Sequence, residues 1–435
     1  MYVPITLPRM SGSHLEFNFA SLKPSQGSEE FLKCVSAFCE FGEQTRQLVT
    51  ESQTFDAKPI CVATFVNEFW TTKQRAASRL HEISYRACFK PQLPRFFIER
   101  LTAPGDTVYD PFMGRGTTLV ESALLGRIPF GCDINPLSAM LTRPRINPPT
   151  LDEIGLRLQE IDFADYDEWP EELFVFYHPE TLKQIVALKK FLLLRAAAKT
   201  LDYVDEWIRM VAVNRLTGHS TGFFSVYTLP PNQAVSIKSQ IKINADRNQT
   251  PPKRNVVGII LKKSQSLLSD CDAEARGRLN EVASRSLLLT EASSSTFQIP
   301  ENSVSLVVTS PPFLDVVDYA GDNWLRCWFV GIDAKSVQLT VPKKIEDWQR
   351  AMTEVFRELH RMLKPGGYVA FEVGEVRGGK VKLEEAVLPC GIEVGLKPEL
   401  ILINDQEFTK TANCWGVNNN AKGTNTNRIV LFRKA

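Results

Sequence analysis

Short apolar runs alternate with helical patterns in two separate parts of the chain. The run VSLVV that begins at Val304 is apolar and β-branched, which predicts a buried strand. Residues 107–110 and 128–133 are also predicted to form short strands. A helix is predicted for 117–125, where Gly126 ends it. Strands that alternate with helices predict a parallel sheet covered by helices, so we expect an α/β fold of the doubly wound class.

Helical patterns dominate the region between these two parts. Apolar residues recur at helical spacing over 151–160, 179–198 and 201–216. A further helix is predicted near the N-terminus, over 29–42. The sequence therefore predicts a largely helical insertion, and a small N-terminal appendage that is partly helical.

Composition narrows the class of protein. The chain has 435 residues, of which 43% are hydrophobic and 23% charged, as is ordinary for a soluble protein of two or three domains. No run of about 18 apolar residues and no secretory signal pattern is present, which predicts a cytoplasmic protein. The nine cysteines form no CxxC pair or His/Cys cluster, so we expect neither a disulfide framework nor a metal site.

A glycine loop follows the first predicted strand. Gly114 and Gly116 lie in a tight loop between strand and helix, and Asp133 ends the second strand, 23 residues beyond Asp110. This is a nucleotide-binding pattern in which the second acid accepts hydrogen bonds from ribose hydroxyls. The loop begins with an acid and lacks a third glycine, which favours a cation such as the methionine end of S-adenosylmethionine over a pyrophosphate. A purely structural glycine turn is the alternative.

The stretch Thr309-Ser310-Pro311-Pro312-Phe313 ends the predicted strand at Val304. Two adjacent prolines cannot continue a central strand, because each lacks a backbone N–H. The result is a rigid turn that offers a hydroxyl, carbonyl oxygens and an aromatic ring at the carboxyl end of the sheet, where α/β folds bind ligands. These groups suit the amino group of a planar heterocycle. Alternatively, Phe313 is a core residue after an ordinary turn.

Together, DPFMGRGTT, GCDINP and TSPPF resemble the motifs of the S-adenosylmethionine-dependent DNA amino-methyltransferases, which methylate N4 of cytosine or N6 of adenine. The resemblance covers about 69–149 and 285–435. It implies S-adenosylmethionine as the cofactor, with Glu291 on the adenine amino group, although Ser293 or Ser294 could fill that place. The upstream Phe89-Lys90-Pro91 resembles a cofactor-covering motif in altered order. The implied cofactor-binding residues are Lys90, Pro91, Asp110, Pro111, Phe112, Gly114, Gly116, Thr117, Thr118, Asp133, Asn135 and Glu291.

The resemblance also implies an architecture. We expect a Rossmann-like sheet of seven strands whose last strand is antiparallel, with 398–404 and 428–432 as the final pair. The predicted division is an appendage over 1–68, the cofactor-binding half over 69–149, the insertion over 150–285 and the catalytic half over 286–435.

The resemblance implies catalytic roles for Ser310, Pro311, Pro312 and Phe313, acting on a base rotated out of duplex DNA. Serine in the first position favours cytosine N4. Adenine N6, an RNA base amine, and a catalytically silent DNA-binding protein are the alternatives. Pro389-Cys390 is a Pro-Cys pair like that of cytosine carbon-5 methyltransferases, but its position is wrong for that family, so Cys390 is predicted to be a small loop residue.

A basic stretch in the insertion is the best predicted DNA surface. The 27 residues from 237 to 263 contain seven Lys or Arg against one acid, whereas the whole chain has a formal net charge of only +1. Phe223, Phe224 and Tyr227 lie nearby. A solvated basic loop beside core aromatics is the alternative. The predicted DNA-binding residues are Lys238, Lys242, Arg247, Lys253 and Arg254. Double-stranded DNA is the expected partner, with a cognate restriction endonuclease as a second one.

Overall fold

The computed structural model describes residues 28–71, 77–85, 88–166, 169–228, 235–312, 319–337, 342–376, 381–405 and 426–435. Its strands are β1 Arg46–Gln53, β2 Pro59–Asn67, β3 Thr107–Asp110, β4 Ile128–Cys132, β5 Leu287–Leu289, β6 Val304–Thr309, β7 Leu363–Val373, β8 Glu375–Val376, β9 Val381–Lys382, β10 Leu396–Asp405 and β11 Thr426–Lys434. Its helices are α1 Ser28–Ser36, α2 Gln92–Leu101, α3 Thr117–Leu124, α4 Pro136–Ile146, α5 Leu151–Gln159, α6 Pro179–Ala197, α7 Tyr203–Arg215, α8 Ile237–Asp246, α9 Val256–Leu267, α10 Ala273–Ala283, α11 Tyr319–Val330, α12 Ile345–Met362 and α13 Leu383–Glu393.

One large sheet organises the described residues, in the order β1-β2-β10-β11-β7-β6-β3-β4-β5. From β5 to β7 all neighbours are parallel, and β11 is antiparallel to both β7 and β10. The chain reverses direction in the sheet at β3, whose neighbours are β4 and β6. The doubly wound α/β class and the antiparallel last strand are confirmed, and the predicted final pair is β10 with β11.

The prediction of seven strands was wrong for this sheet, which has nine among the described residues. The two additional strands, β1 and β2, extend the sheet beyond β10, to which β2 is parallel. Val62 and Phe65 of β2 are buried in the core, so this hairpin is held by apolar packing as well as by the sheet hydrogen bonds. Residues 46–67 therefore belong to the main sheet, although the proposed domain boundaries themselves stay predictions.

Helices cover both faces of the sheet. α12 and α13 pack on one face, and α1 and α2 on the other. The helices of the insertion share a third apolar core with α3, α4 and α11. The helices predicted over 117–125, 151–160, 179–198 and 201–216 all form within two residues of their predicted ends, whereas α1 ends six residues before Gly42. In the described ranges no helix is long and apolar enough to span a membrane.

The prediction that Cys390 lies in a loop was wrong. Cys390 lies in α13, where it is fully buried. Burial raises the pKa of its thiol to about 12, so the thiolate needed for attack on carbon 5 of a pyrimidine is strongly disfavoured. The cysteine packs against α12 as a small apolar residue.

Candidate active site

The carboxyl ends of β3 and β6 are joined by hydrogen bonds between buried groups. Thr309, the last residue of β6, donates from its hydroxyl to Oδ1 of Asp110, the last residue of β3, at 2.6 Å. Thr118 in the first turn of α3 donates to the Val308 carbonyl oxygen at 3.1 Å. Because of these bonds, the glycine loop after β3 and the Pro-Pro turn after β6 are fixed relative to each other.

The two glycines of the loop are required for different reasons. Gly114 has φ +49°, and a Cβ there would point into open space, with only the Phe112 carbonyl oxygen near, at 3.9 Å. Gly116 has φ +74°, and its Cβ would lie 2.2 Å from Thr142 Oγ1 in α4. Gly116 is therefore a packing residue, whereas Gly114 leaves room for a ligand beside the backbone.

Asp133, just beyond β4, is oriented by the loop. Its Oδ2 accepts from the Gly114 N–H at 2.9 Å, and its Oδ1 accepts from the Asn135 N–H at 2.9 Å. Each oxygen keeps a lone pair for ribose hydroxyls. The Asn135 side chain caps α4 through Leu137 and also donates to the hydroxyl of Tyr85 at 2.6 Å. No role was predicted for Tyr85 from the sequence, although it lies four residues before Phe89, where the stretch predicted to cover the cofactor begins.

Arg115 of the glycine loop is hydrogen-bonded to two residues upstream of α2, Ile83 and Phe89. It is buried, and its guanidinium donates to the carbonyl oxygens of Ile83 at 3.1 Å and of Phe89 at 3.4 Å. The pKa of the Lys90 ammonium is lowered, first because the side chain is half-buried and second because the positive charge of Arg115 is near. Pro91 is the N-cap residue of α2. Lys90 therefore lies near Arg115 of the glycine loop, and the roles of Lys90 and Pro91 towards the cofactor stay predictions.

The segment after β5 closes the other side of the loop. Ser293 donates to the Pro111 carbonyl oxygen at 2.6 Å, and the Glu291 carbonyl oxygen accepts from the Cys132 thiol at 3.1 Å. Glu291 Oε1 is buried and has no hydrogen-bond partner among the described residues. A buried acceptor without a partner is costly, so it fits a donor supplied by a ligand, such as an adenine amino group.

Burial controls the electrostatics of the loop. It raises the pKa of Asp110 to about 7, although hydrogen bonds from Thr309 and from the Phe112 N–H oppose the rise. Burial likewise raises the pKa of Asp133. A cation placed beside these carboxyls would favour their ionised forms. The open space at Gly114, the orphaned Glu291 oxygen and the two acids together fit the ammonium, sulfonium and hydroxyl groups of S-adenosylmethionine.

At the Pro-Pro turn, the Ser310 hydroxyl lies within hydrogen-bonding range of Glu372, a buried residue of β7. Asn427 of β11 donates to Glu372 Oε1 at 2.6 Å. Burial raises the pKa of Glu372. The Pro312 carbonyl oxygen accepts from Trp348 Nε1 at 3.1 Å, which fixes the end of the turn. Phe313 lies outside the described residues.

Glu372 was not predicted from the sequence. Its signal is a single acid inside the apolar run of β7, and an acid in a buried strand needs a polar partner. The sequence could identify the acid as unusual but not the Ser310 hydroxyl as its neighbour.

The predicted DNA-binding residues belong to two elements of the insertion. Lys238 and Lys242 are exposed on α8, and Arg247 follows at its C-cap. Lys253 and Arg254 precede α9, where the Arg254 N–H donates to Thr181 of α6 at 2.8 Å. The nearby Phe223 and Phe224 are buried, which favours the core interpretation of these two rings.

Comparison with known proteins gives one family. Residues 54–140 match the model of a family described as DNA methylase. The type II methyltransferase M.BsoBI of Geobacillus stearothermophilus is 22% identical over 67% of this chain. The type II methyltransferase M.MvaI of Kocuria varians is 30% identical over 26% of this chain. The chain spans 58% and 25% of the lengths of these relatives.

Among solved structures, a DNA modification methylase from Thermus thermophilus is 24% identical and covers 33% of this chain and 50% of that chain, with a TM-score of 0.21. A TM-score this low carries no argument about the fold, which rests here on the strand order.

Proposed function

Because this chain belongs to the S-adenosylmethionine-dependent DNA amino-methyltransferases of the N4-cytosine and N6-adenine type, we propose that it methylates N4 of cytosine in double-stranded DNA. The observation that carries the proposal is the joining of the Asp110 loop to the Ser310 turn through Thr309. It supports a cofactor site at the glycine loop with the proposed site for the base amine next to it.

Three acids beside an open glycine would hold the cofactor. Asp133 would accept from the ribose hydroxyls, Glu291 Oε1 would accept from the adenine amino group, and the charge of Asp110 would attract the cationic methionine end. When bound, the cofactor would supply the methyl group of its sulfonium: the N–C bond forms as the S–C bond breaks, a neutral thioether leaves, and the methylated nitrogen gives up one proton to solvent. Tyr85, held by Asn135, closes the site from the covering segment.

Ser310 and Pro311 would activate the amine. An exocyclic amine is a poor nucleophile because its lone pair is delocalised into the ring, and two acceptors for its hydrogens favour a pyramidal nitrogen. The Ser310 hydroxyl oxygen and the Pro311 carbonyl oxygen are those acceptors. Since Glu372 accepts the hydroxyl hydrogen, it turns the lone pairs of Ser310 towards the base. Positioning of the reactants then supplies much of the acceleration.

In a duplex the amine is not accessible in this geometry, so the base must be rotated out. Unstacking costs a few kcal/mol, and stacking on Phe313 offsets about 1 to 3 kcal/mol of that cost. Serine in the first position of the turn supports cytosine as the base. Since the relatives are type II methyltransferases, a restriction endonuclease that acts on the same site is the partner we propose.

Transfer of radiolabelled methyl groups to duplex DNA, single-stranded DNA and RNA tests the function, with nucleoside mass spectrometry to identify the product. We expect N4-methylcytosine in duplex DNA. N6-methyladenine alone would contradict the choice of base. Label confined to RNA would overturn the DNA substrate, and cofactor binding without any transfer would indicate a catalytically silent protein.

A further inference from the structure

α8 has an exposed face that is basic and carries one large apolar side chain. Lys238 and Lys242 lie one turn apart on it, and Ile241 beside them is 54% exposed. Neither lysine forms an ion pair with any residue that the structure describes, and Asp246 at the end of the helix is its one acid. Like charges four residues apart destabilise a helix, so the spacing suits an anion outside the protein.

A network of amides holds α8 from behind. Gln240 is fully buried and donates to the Tyr227 carbonyl oxygen at 3.1 Å. Asn244 donates to the Val175 carbonyl oxygen at 2.7 Å, and Gln249 to the Tyr227 carbonyl oxygen at 3.0 Å. Because these bonds fix the rotation of the helix about its axis, the basic face points in one direction. Such rigidity is what a recognition element requires.

Arg247 adds a planar cation next to this face. Its guanidinium carbon lies 3.8 Å from the centre of the Tyr227 ring, and the residue is exposed. A stacked guanidinium keeps the N–H donors in its plane available for phosphate oxygens or for the edge of a guanine. Tyr227 therefore both anchors α8 through its backbone and orients Arg247 through its ring.

The start of α8 is anchored to the helix that follows the catalytic turn. Trp324 Nε1 in α11 donates to the Val235 carbonyl oxygen at 3.2 Å. Val235 directly precedes Ser236, the N-cap of α8, and α11 begins seven residues after Pro312. Lys238 is three residues from this anchor. The start of α8 is therefore held against α11, the helix that follows the catalytic turn in the chain.

We propose that the exposed face of α8 enters the major groove of the DNA duplex beside the flipped base. Lys238, Lys242 and Arg247 contact phosphates, and Ile241 contacts base edges, for which a thymine methyl group is the matching apolar partner. A major groove has the width of an α-helix. The inference rests on the proposed function and assigns its sequence recognition to one helix of the insertion.

The phosphate contacts are tested by the double substitution Lys238→Ala and Lys242→Ala. Each phosphate contact adds about 0.9 to the magnitude of the slope of log affinity against log salt concentration. Because the double variant lacks two contacts, the magnitude of its slope should be smaller by about 2. The measurement is fluorescence anisotropy of a labelled duplex of mixed sequence over a salt series. Lys397→Ala is the matched control, because Lys397 is also exposed but lies at the start of β10, outside the insertion.

The base contact is tested by Ile241→Ala, with Leu156→Ala on α5 as the control because Leu156 is exposed to a similar degree, 63%. Each enzyme methylates the same genomic DNA, and the methylated bases are mapped by sequencing. With Ile241→Ala, the preference for the correct base pair at one or two positions of the DNA recognition sequence should fall about tenfold. The affinity of this variant for the mixed-sequence duplex should stay unchanged. The control should give the wild-type pattern.

The outcomes separate this inference from the proposed function. If the wild type methylates DNA and the α8 variants match it in both salt slope and sequence pattern, the role of α8 is overturned and the function stands. If the wild type labels only RNA, or binds no duplex, both are overturned. Unchanged affinity of the variants for S-adenosylhomocysteine shows that they are folded.

Discussion

Thr309 Oγ1 and Asp110 Oδ1 are 2.6 Å apart in the core of the sheet, at the ends of two neighbouring strands. Asp110 is 1% exposed and Thr309 is fully buried. A hydrogen bond between a buried hydroxyl and a buried carboxyl is expensive to break, because neither group can turn to water. The bond therefore sets the distance between the cofactor loop and the catalytic turn.

Thr309→Val removes this donor while keeping the shape of the side chain. We expect the free energy of unfolding to fall by about 1 to 3 kcal/mol, the cost of leaving a buried acceptor with one partner fewer. Urea unfolding measures it. In the background of Asp110→Asn the same substitution should cost less, because the carboxylate that needs the donor is gone. Equal costs in both backgrounds would show that the charge of Asp110 adds nothing to the bond, because the amide oxygen of asparagine can still accept it.

The pKa of about 7 for Asp110 predicts pH dependence with a definite sign. Below that pH the carboxyl is neutral and attracts the ammonium of a bound cofactor weakly. Affinity for S-adenosylhomocysteine should therefore rise about tenfold between about pH 6 and about pH 8, a factor set by the ionised fraction. Isothermal titration calorimetry measures it, and Asp110→Asn should bind weakly at every pH. A wild-type affinity that is flat over this range would contradict the assignment.

The same shift affects the free protein in the opposite sense. A carboxyl whose pKa is raised by folding binds its proton more tightly in the folded state, so its ionisation destabilises the fold. The contribution of Asp110 to the free energy of unfolding should fall as pH rises from about 4 to about 7. Asp110→Asn should lack this contribution.

Alanine at the two loop glycines should give different defects. Gly116→Ala places a Cβ 2.2 Å from Thr142 Oγ1, so we expect a loss of about 1 to 3 kcal/mol in the free energy of unfolding. Gly114→Ala meets open space and strains only the backbone, at about 1 kcal/mol. Its larger effect should be a loss of cofactor affinity, since the methyl group enters the space proposed for the ligand.

Urea unfolding and calorimetric titration of the same two variants separate these defects. Each variant serves as the control for the other. Normal cofactor binding by Gly114→Ala would mean that the open space beside this residue is not used.

How much of the site the sequence could predict depends on the distance along the chain. The glycine loop, the pair Asp110 and Asp133, and the turn at Ser310 are local patterns, and the structure places them at neighbouring strand ends. The pairing of β2 with β10 joins residues more than 330 positions apart, and no local pattern specifies it. Glu372 was missed for the same reason, because its proposed role depends on the hydroxyl of Ser310, which lies far away in the sequence in the turn after β6.

Glu372→Gln tests whether that buried acid acts on the reaction. Glutamine keeps the size of the side chain and the contact with Asn427, but it is neutral and a weaker acceptor for the Ser310 hydroxyl. We expect kcat for methyl transfer to fall about 100-fold, while KM for DNA and the affinity for S-adenosylhomocysteine change little. Ser310→Ala should have a similar effect, and the double variant should be no worse than either, because the two residues act as a unit. If the effects of the two substitutions multiply, Glu372 does not act through Ser310. If Glu372→Gln turns over like the wild type, the acid has only a structural role, and its loss should then appear in the free energy of unfolding alone.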